Sequence, residues 1–314
     1  MIIELSMDRR NTEIDIAVVD VETTGFLNSD KIVEIAIVKI DRKCRITREY
    51  QTLINPRRDV GPTHVHHITA SMVYDAPVFE EVARDILSLL PEKTMIVGHN
   101  VGFDLNFIER ELSDALGRKI KYNSFCTMKE AKKLIPSRSY KLETLCQMLA
   151  IRNKLQHSAM GDAQATLSLF EILVRKIEEQ TSVNLLSSFK DRPVPEADEM
   201  VMKVRCTGQN PLCKPFRIKE ADSLFPASLT GKTVCFTGTS MALSEEGSRL
   251  SRKHMESCVR DGGMIVRGYV TKDLDMLIAS DRNSLSGKAR KARQYGVPVI
   301  GEREFWAETG LLVS

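Results

Sequence analysis

No stretch of this 314-residue chain strings together the ~18 apolar residues of a membrane-spanning helix, and the expectation is a soluble chain. The opening MIIELSMDRR sets acids and bases where a secretory leader would carry an apolar core, so the expectation is the cytosol and no membrane partner. Paired cysteines are lacking as well. The seven present (Cys44, Cys126, Cys146, Cys206, Cys213, Cys235, Cys258) are odd in number and show no CxxC, which reads as reduced thiols. Cys206 and Cys213 lie close together, but no second ligand pair accompanies them. Excess charge is missing too: 45 basic against 42 acidic residues leave +3, too little to argue for nucleic acid by itself. With 42% hydrophobic and 28% charged residues, disordered, collagenous and disulfide-scaffold classes are excluded, and the length suits two domains. No internal repeat relates the two halves.

What is there is uneven. Residues 118–141 carry Arg118, Lys119, Lys121, Lys129, Lys132, Lys133, Arg138 and Lys141 against Glu130 alone. Residues 282–293 carry Arg282, Lys288, Arg290, Lys291 and Arg293 with no acid. Each run by itself reads as a solvated helix face, whereas two of them beside a phosphodiester-cleaving signature read as a nucleic-acid footprint.

Periodicity sets the organisation. IDIAVVDVE, from Ile14 to Glu22, is β-branched and apolar like a buried strand and ends at the turn-forming TTG; KIVEIAIVKI and ITREYQTLI continue as strands. FEEVARDILSLL then reads as a helix, TMIVGHN as a short buried strand, and GFDLNFIERELSDALG as a helix with Leu105, Ile108 and Leu112 on one stripe. YKLETLCQMLAI is a further helix. Another starts near Ser158, with Ala163, Leu167, Phe170, Val174 and Ile177 spaced by fours and threes. Strands in a meander followed by strand and helix in alternation imply a mixed sheet covered by helices. Pro193, Pro195, Pro211, Pro215 and Pro226 mark a linker. From Leu229 a small α/β unit follows: TVCFTG, SRKHMESCVRDGG, MLIAS, GKARKARQYG, VPVIGE and EFWAETG.

Asp20 and Glu22 stand two apart, so the period of a strand puts both carboxylates on one face. Side by side they repel, and a divalent cation is the simplest remedy; two solvated acids at an exposed strand end are the alternative. Asp104 falls in the first turn of one helix and Asp162 in the first turn of another, where the helix dipole favours an anion. His157 precedes Asp162 by five residues in a loop. Together these residues supply four carboxylates and one imidazole from strand ends and helix starts that can converge. His64, His66 and His67 form an HVHH cluster without a cysteine or further ligand nearby, and a zinc reading is rejected.

In VDVETTG, HNVGFDLNFIERE and HSAMGDAQAT, in that order, with INP, HHIT, DAPVFEEV and YKLETL between them, the chain resembles the DEDDh 3′→5′ exonucleases. Within these it resembles the epsilon proofreading-subunit group of bacterial DNA polymerase III over about residues 14–178. The resemblance implies an RNase H-like α/β fold and a site of Asp20, Glu22, Asp104, Asp162 and His157. Asp20, Glu22 and Asp162 would hold one metal ion, Asp20 and Asp104 a second. Oxygen ligands select Mg²⁺ or Mn²⁺. His157 would be the general base, its reference pKa of ~6.5 being matched to neutral pH. Thr23, Thr24 and Phe26 resemble the segment that grips the terminal nucleotide, although Phe26 could equally be core. Asn100 and Gly98 shape a turn, from which Asn100 could reach a phosphate. Cys126 in FCTM replaces the Asp of many relatives, which touches local helix capping and not the ligands.

Residues 229–310 resemble a BRCT domain, most of all the single modules of NAD-dependent DNA ligase and the replication factor C large subunit. GKTVCFTG, Gly262–Gly263, VTKDLDMLI, SGKARKA, GVPVI and Phe305–Trp306 carry the likeness, with Trp306 as a core anchor. The resemblance maps phosphate-binding residues onto Thr237, Gly238, Arg252 and Lys288; many such modules bind proteins instead. The expected organisation is an exonuclease domain at 1–178, a linker at 179–228 and a BRCT domain at 229–314. The expected function is metal-dependent removal of nucleoside 5′-monophosphates from a DNA 3′ end, in replication proofreading or repair, in the bacterial cytosol or nucleoid. The BRCT module would serve DNA ends, including a 5′-phosphate, or replication and repair proteins. An RNA 3′→5′ exonuclease and a non-catalytic DNA-end or partner-binding scaffold are the alternatives. QTSVNLL, from Gln180, loosely resembles a sliding-clamp docking peptide, set against a helix end packing its apolar residues on the domain.

Overall fold

The computed structural model describes residues 15–153, 157–182, 184–189, 216–218 and 227–313. The opening MIIELSMDRR, the five linker prolines, Cys206, Cys213 and Val183 of QTSVNLL lie outside the described residues. In chain order the elements are β1 Ile16–Thr23, β2 Ile32–Ile40, β3 Ile46–Leu53, α1 Thr63–His66, α2 Ala70–Val73, α3 Phe79–Leu89, β4 Met95–Gly98, α4 Gly102–Leu116, β5 Asn123–Cys126, α5 Thr127–Leu134, α6 Leu142–Met148, α7 Ala159–Thr181 and α8 Leu185–Ser188. There follow β6 Phe216–Ile218, β7 Thr233–Thr237, β8 Ala242–Leu243, α9 Arg252–Asp261, β9 Ile265–Arg267, β10 Met276–Ala279, α10 Gly287–Tyr295, β11 Val299–Gly301, α11 Glu302–Glu308 and β12 Leu312–Val313. The chain forms two compact units, one built largely on a five-stranded sheet and the other including a four-stranded and a three-stranded sheet.

The five-stranded sheet has the order β3-β2-β1-β4-β5, with β1 beside β4 and β4 beside β5 in parallel. The β-branched run that marks β1 is buried along its first four residues and is central, as a strand buried on both faces should be. The long helix α7 lays Ala163, Leu167, Phe170 and Val174 against Ile16, Val18, Ala36, Val38 and Val97, the stripe expected from its spacing. Ile177, at the end of that stripe, is only half-buried. In α4, Leu105, Ile108 and Leu112 are all buried, and Phe107 joins them. Within the expected linker, α7 runs to Thr181 and α8 packs the buried Leu186 and the half-buried Leu185 on the same core. Those leucines of QTSVNLL belong to the packing of the domain and are not presented as a docking peptide.

The four-stranded sheet, β11-β10-β7-β9, is parallel throughout. Alternation along β7 sends Val234 and Phe236 to a core shared with Met255, Phe305 and the fully buried Trp306, and sends Cys235 to the opposite face with Ala289 and Ala292 of α10. Ser251 and Ser286 cap α9 and α10 by accepting the N–H of His254 and Ala289. Gly262 and Gly263 end α9 as expected, Gly263 at φ 82. A three-stranded sheet, β12-β6-β8, adds strands of two or three residues that have too few positions to show a period. No helix among the described residues is long and apolar enough to cross a membrane, and the five described cysteines are free thiols.

Candidate active site

Burial alternates along the second half of β1: Asp20 and Glu22 are half-buried on one face, while Val21 and Thr23 are buried. Asp162 enters from the first turn of α7, and one carboxylate oxygen from each of Asp20, Glu22 and Asp162 lies within 4.8 Å of the others. Asp104, in the first turn of α4, stands outside that group of three. Its side chain is 4% exposed, and its Oδ1 accepts the backbone N–H of Val21 at 3.1 Å, between the two acids of β1. Burial raises the Asp104 carboxyl to about 7, against the pull of that bond and of its own backbone N–H. Asp162 is also pushed up by burial. The Asn153 side chain opposes the shift, as does the backbone N–H of His157.

His157 is exposed at φ 61, two residues ahead of α7, and Asn100 is exposed at φ 67, two residues ahead of α4. Both site helices are therefore entered through a left-handed residue, which for histidine costs ~1 kcal/mol or more and is typical of functional turns. Asn100 shapes the turn as expected, its C=O accepting the N–H of Phe103 at 2.9 Å. The hydroxyls of Thr23 and Thr24 are turned to their own loop: Thr23 Oγ1 donates to the Gly25 C=O, and Thr24 Oγ1 donates to Asp30. Phe26 is out of the core, 85% exposed, with Leu27 exposed beside it.

Two further side chains, which no sequence motif marks, reach this region. Asn153 donates its amide to Asp162 Oδ1 at 2.6 Å. His99 Nε2 lies 2.8 Å from the Tyr140 C=O, which can only accept, so Nε2 carries the proton; Nδ1 lies 3.0 Å from the Thr127 hydroxyl. Burial lowers the pKa of His99, consistent with a neutral ring that ties β4 to α5 and the 137–141 loop. Cys126 is the N-cap of α5, and its side chain makes no cap bond. In the HVHH cluster His66 is buried and its ring is spent on the backbone: Nδ1 accepts from Ile68 N–H and Nε2 faces the Val60 C=O at 3.2 Å.

A family model described as Exonuclease (RNase_T) matches residues 17–170. The DNA polymerase III subunit epsilon of Buchnera aphidicola subsp. Acyrthosiphon pisum is 30% identical over 201 residues, with 59% of this chain and 82% of that protein covered. The chain belongs to the exonuclease family. The exonuclease is also 33% identical over 171 residues to the DNA polymerase III PolC-type of Caldanaerobacter subterraneus subsp. tengcongensis; this takes in 53% of the chain but spans only 12% of that relative's length. Among solved structures, Exonuclease X in complex with 5′ overhanging duplex DNA matches at 24% identity and a TM-score of 0.42, over 54% of this chain and 93% of that one. E. coli Exonuclease I with a dT13 oligonucleotide matches at 18% identity and a TM-score of 0.48, over 54% and 43%.

Membership makes the protein a hydrolase of phosphodiester bonds, and the exonuclease fold implies divalent metal ions. The donor set fits them. Three convergent carboxylates offer only hard oxygen atoms, as ions of the Mg²⁺ and Mn²⁺ class require.

In the other unit the four expected anion-site residues meet at the end of β7. Thr237 Oγ1 is 3.0 Å from Ser286 Oγ, the cap of α10, and Lys288 Nζ donates to the Phe236 C=O at 3.1 Å. Arg252 donates to the Gly238 C=O and stacks over Phe236 at 5.1 Å. Gly238 has φ 80, and a Cβ there would meet Ser280 Oγ at 2.4 Å, so only glycine fits that turn.

Proposed function

We propose that this exonuclease degrades DNA from the 3′ end and releases nucleoside 5′-monophosphates. The convergence of Asp20, Glu22 and Asp162 is the observation that carries the reading. Those three, with Asp104, would hold two Mg²⁺ or Mn²⁺ ions, which when bound supply charge to steady the attacking and leaving oxygens. His157, exposed two residues ahead of α7, takes a proton from the attacking water as the new P–O bond forms. The bond to the 3′ oxygen of the penultimate nucleotide then breaks, leaving a 3′-hydroxyl on the strand and the phosphate on the departing nucleotide. Phe26 and Leu27, exposed four and five residues after Glu22, offer apolar surface to the terminal base, with Thr23, Thr24 and Asn100 shaping the turns around it.

Residues 1–178 would form the exonuclease domain, 179–228 the connection and 229–314 a BRCT module. Thr237, Gly238, Arg252 and Lys288 of that module would receive a DNA 5′-phosphate, since a hydroxyl, two cations and the capped start of α10 gather at one point. DNA polymerase III relatives support a role in replication proofreading or repair, in the bacterial cytosol or nucleoid and among replication proteins. A panel of labelled single- and double-stranded DNA and RNA, with Mg²⁺, Mn²⁺ or chelator, tests the reading. Mononucleotides released from DNA with either metal and not with chelator are expected. Preferential turnover of RNA would replace DNA as the substrate, and cleavage of neither would leave a binding scaffold.

A further inference from the structure

We infer that Asn153 is a positioning residue for the Asp162 carboxylate and that metal affinity depends on it; the inference rests on the metal site proposed above. The Asn153 amide meets Asp162 Oδ1 at 2.6 Å, and the backbone N–H of His157 also reaches that carboxylate. The donor itself is held by the way α6 ends. Leu149 N–H returns to the Leu145 C=O at 2.9 Å, Ala150 turns left-handed at φ 54, and Ile151 N–H returns to the Cys146 C=O at 2.9 Å. This closes the helix as a Schellman motif. Ile151 then packs against Leu145, Leu169 and Leu173, so the chain is anchored in the core two residues before Asn153.

A carboxylate at the first turn of a helix can rotate about its last torsion, and only some of its orientations turn lone pairs toward Asp20 and Glu22. An amide fixed on one oxygen selects a rotation and spreads part of the negative charge. The acid then meets its neighbours already oriented, and ion binding need not order it. Groups behind a ligand act in this way in metal sites generally, and removing one weakens affinity ~10–100-fold. In this role Asn153 acts through Asp162.

The test is calorimetric titration of Mn²⁺ into the full chain as wild type, Asn153→Ala, Asp162→Ala, the double variant and Asn153→His, with metal-free melting of each. The imidazole Nδ1 sits at the reach of the asparagine amide and is a neutral donor at pH 8. Asn153→Ala should weaken Mn²⁺ binding about 10-fold or more. Asp162→Ala should weaken it further, the double variant should bind no worse than Asp162→Ala, and Asn153→His should recover most of the loss. If Asp162→Ala weakens binding while Asn153→Ala matches wild type, the inference is overturned and the metal site stands. Additive losses in the double variant, or a folded Asn153→His that recovers nothing, would make Asn153 a structural pin and overturn it as well. If neither single variant changes binding, the metal-site reading itself fails.

Discussion

Of the four acids at the candidate site, Asp104 is the most enclosed, and its cost to the metal-free fold has a definite sign. Its carboxyl ionises at about 7 in the folded protein against 3.8 for the unconstrained group. Between those values the folded state keeps a proton that the unfolded chain has shed. Stability is therefore greatest below the unfolded value and falls as pH climbs towards 7. Asp104→Asn keeps an acceptor for Val21 N–H and removes the charge. In chelator it should melt several degrees above wild type at pH 8, a gain of at most ~4 kcal/mol, and converge with wild type near pH 4. A variant less stable than wild type at pH 8 would make the Asp104 carboxylate a structural asset. At this scale the sequence was informative about Asp20, Glu22, Asp104 and Asp162, because a strand's period and helix starts place a carboxylate without knowledge of anything distant. It was silent on Asn153 and His99. Their partners, Asp162 and Tyr140, depend on how the chain leaves α6 and on where the 137–141 loop passes, and neither leaves a local pattern. Phe26 was undecided for the same reason: its exposure follows from the loop closed by Thr24 N–H on the Lys31 C=O.

Elements with long apolar periods were legible, and short ones at sheet edges were not. The stripe of α7 was readable because twenty-three residues repeat one face against the sheet. Four residues of β5, exposed or half-buried at the edge, repeat nothing, and α5 begins at Thr127 after a cysteine that offers no cap. The α7 stripe also offers a position at which the domain can be weakened. Phe170 is fully buried, with its ring edge-on to Phe125 at 5.1 Å between centroids. Phe170→Ala should cost ~3–5 kcal/mol in unfolding free energy through lost burial and the cavity left behind. Urea unfolding followed by circular dichroism measures it, and a loss under about 1 kcal/mol would show that the neighbouring side chains collapse into the space.

For the whole molecule, the family match covers residues 17–170, and the second unit brings a parallel sheet with both faces covered, whose basic helix α10 starts at a cluster of hydroxyls and cations. Two domains are expected because the hydrophobic pattern restarts after a proline-bearing stretch; the two compact units divide the chain differently, the second taking in Glu22–Glu34 and Leu53–Phe79 as well as the C-terminal part. The small β6-β8-β12 sheet was not legible in advance, since its strands meet only in the folded chain. The central claim is that the acids of β1 and α7 cut DNA from its 3′ end. A DNA strand labelled at its 5′ end, incubated with Mg²⁺ and either wild type or Asp20→Ala, tests this most directly, provided metal-free melting shows both proteins folded. Wild type should shorten the labelled strand one nucleotide at a time, and Asp20→Ala should leave it intact. Degradation by the folded variant at the wild-type rate, or release of the 5′ label as the first product, would contradict the account.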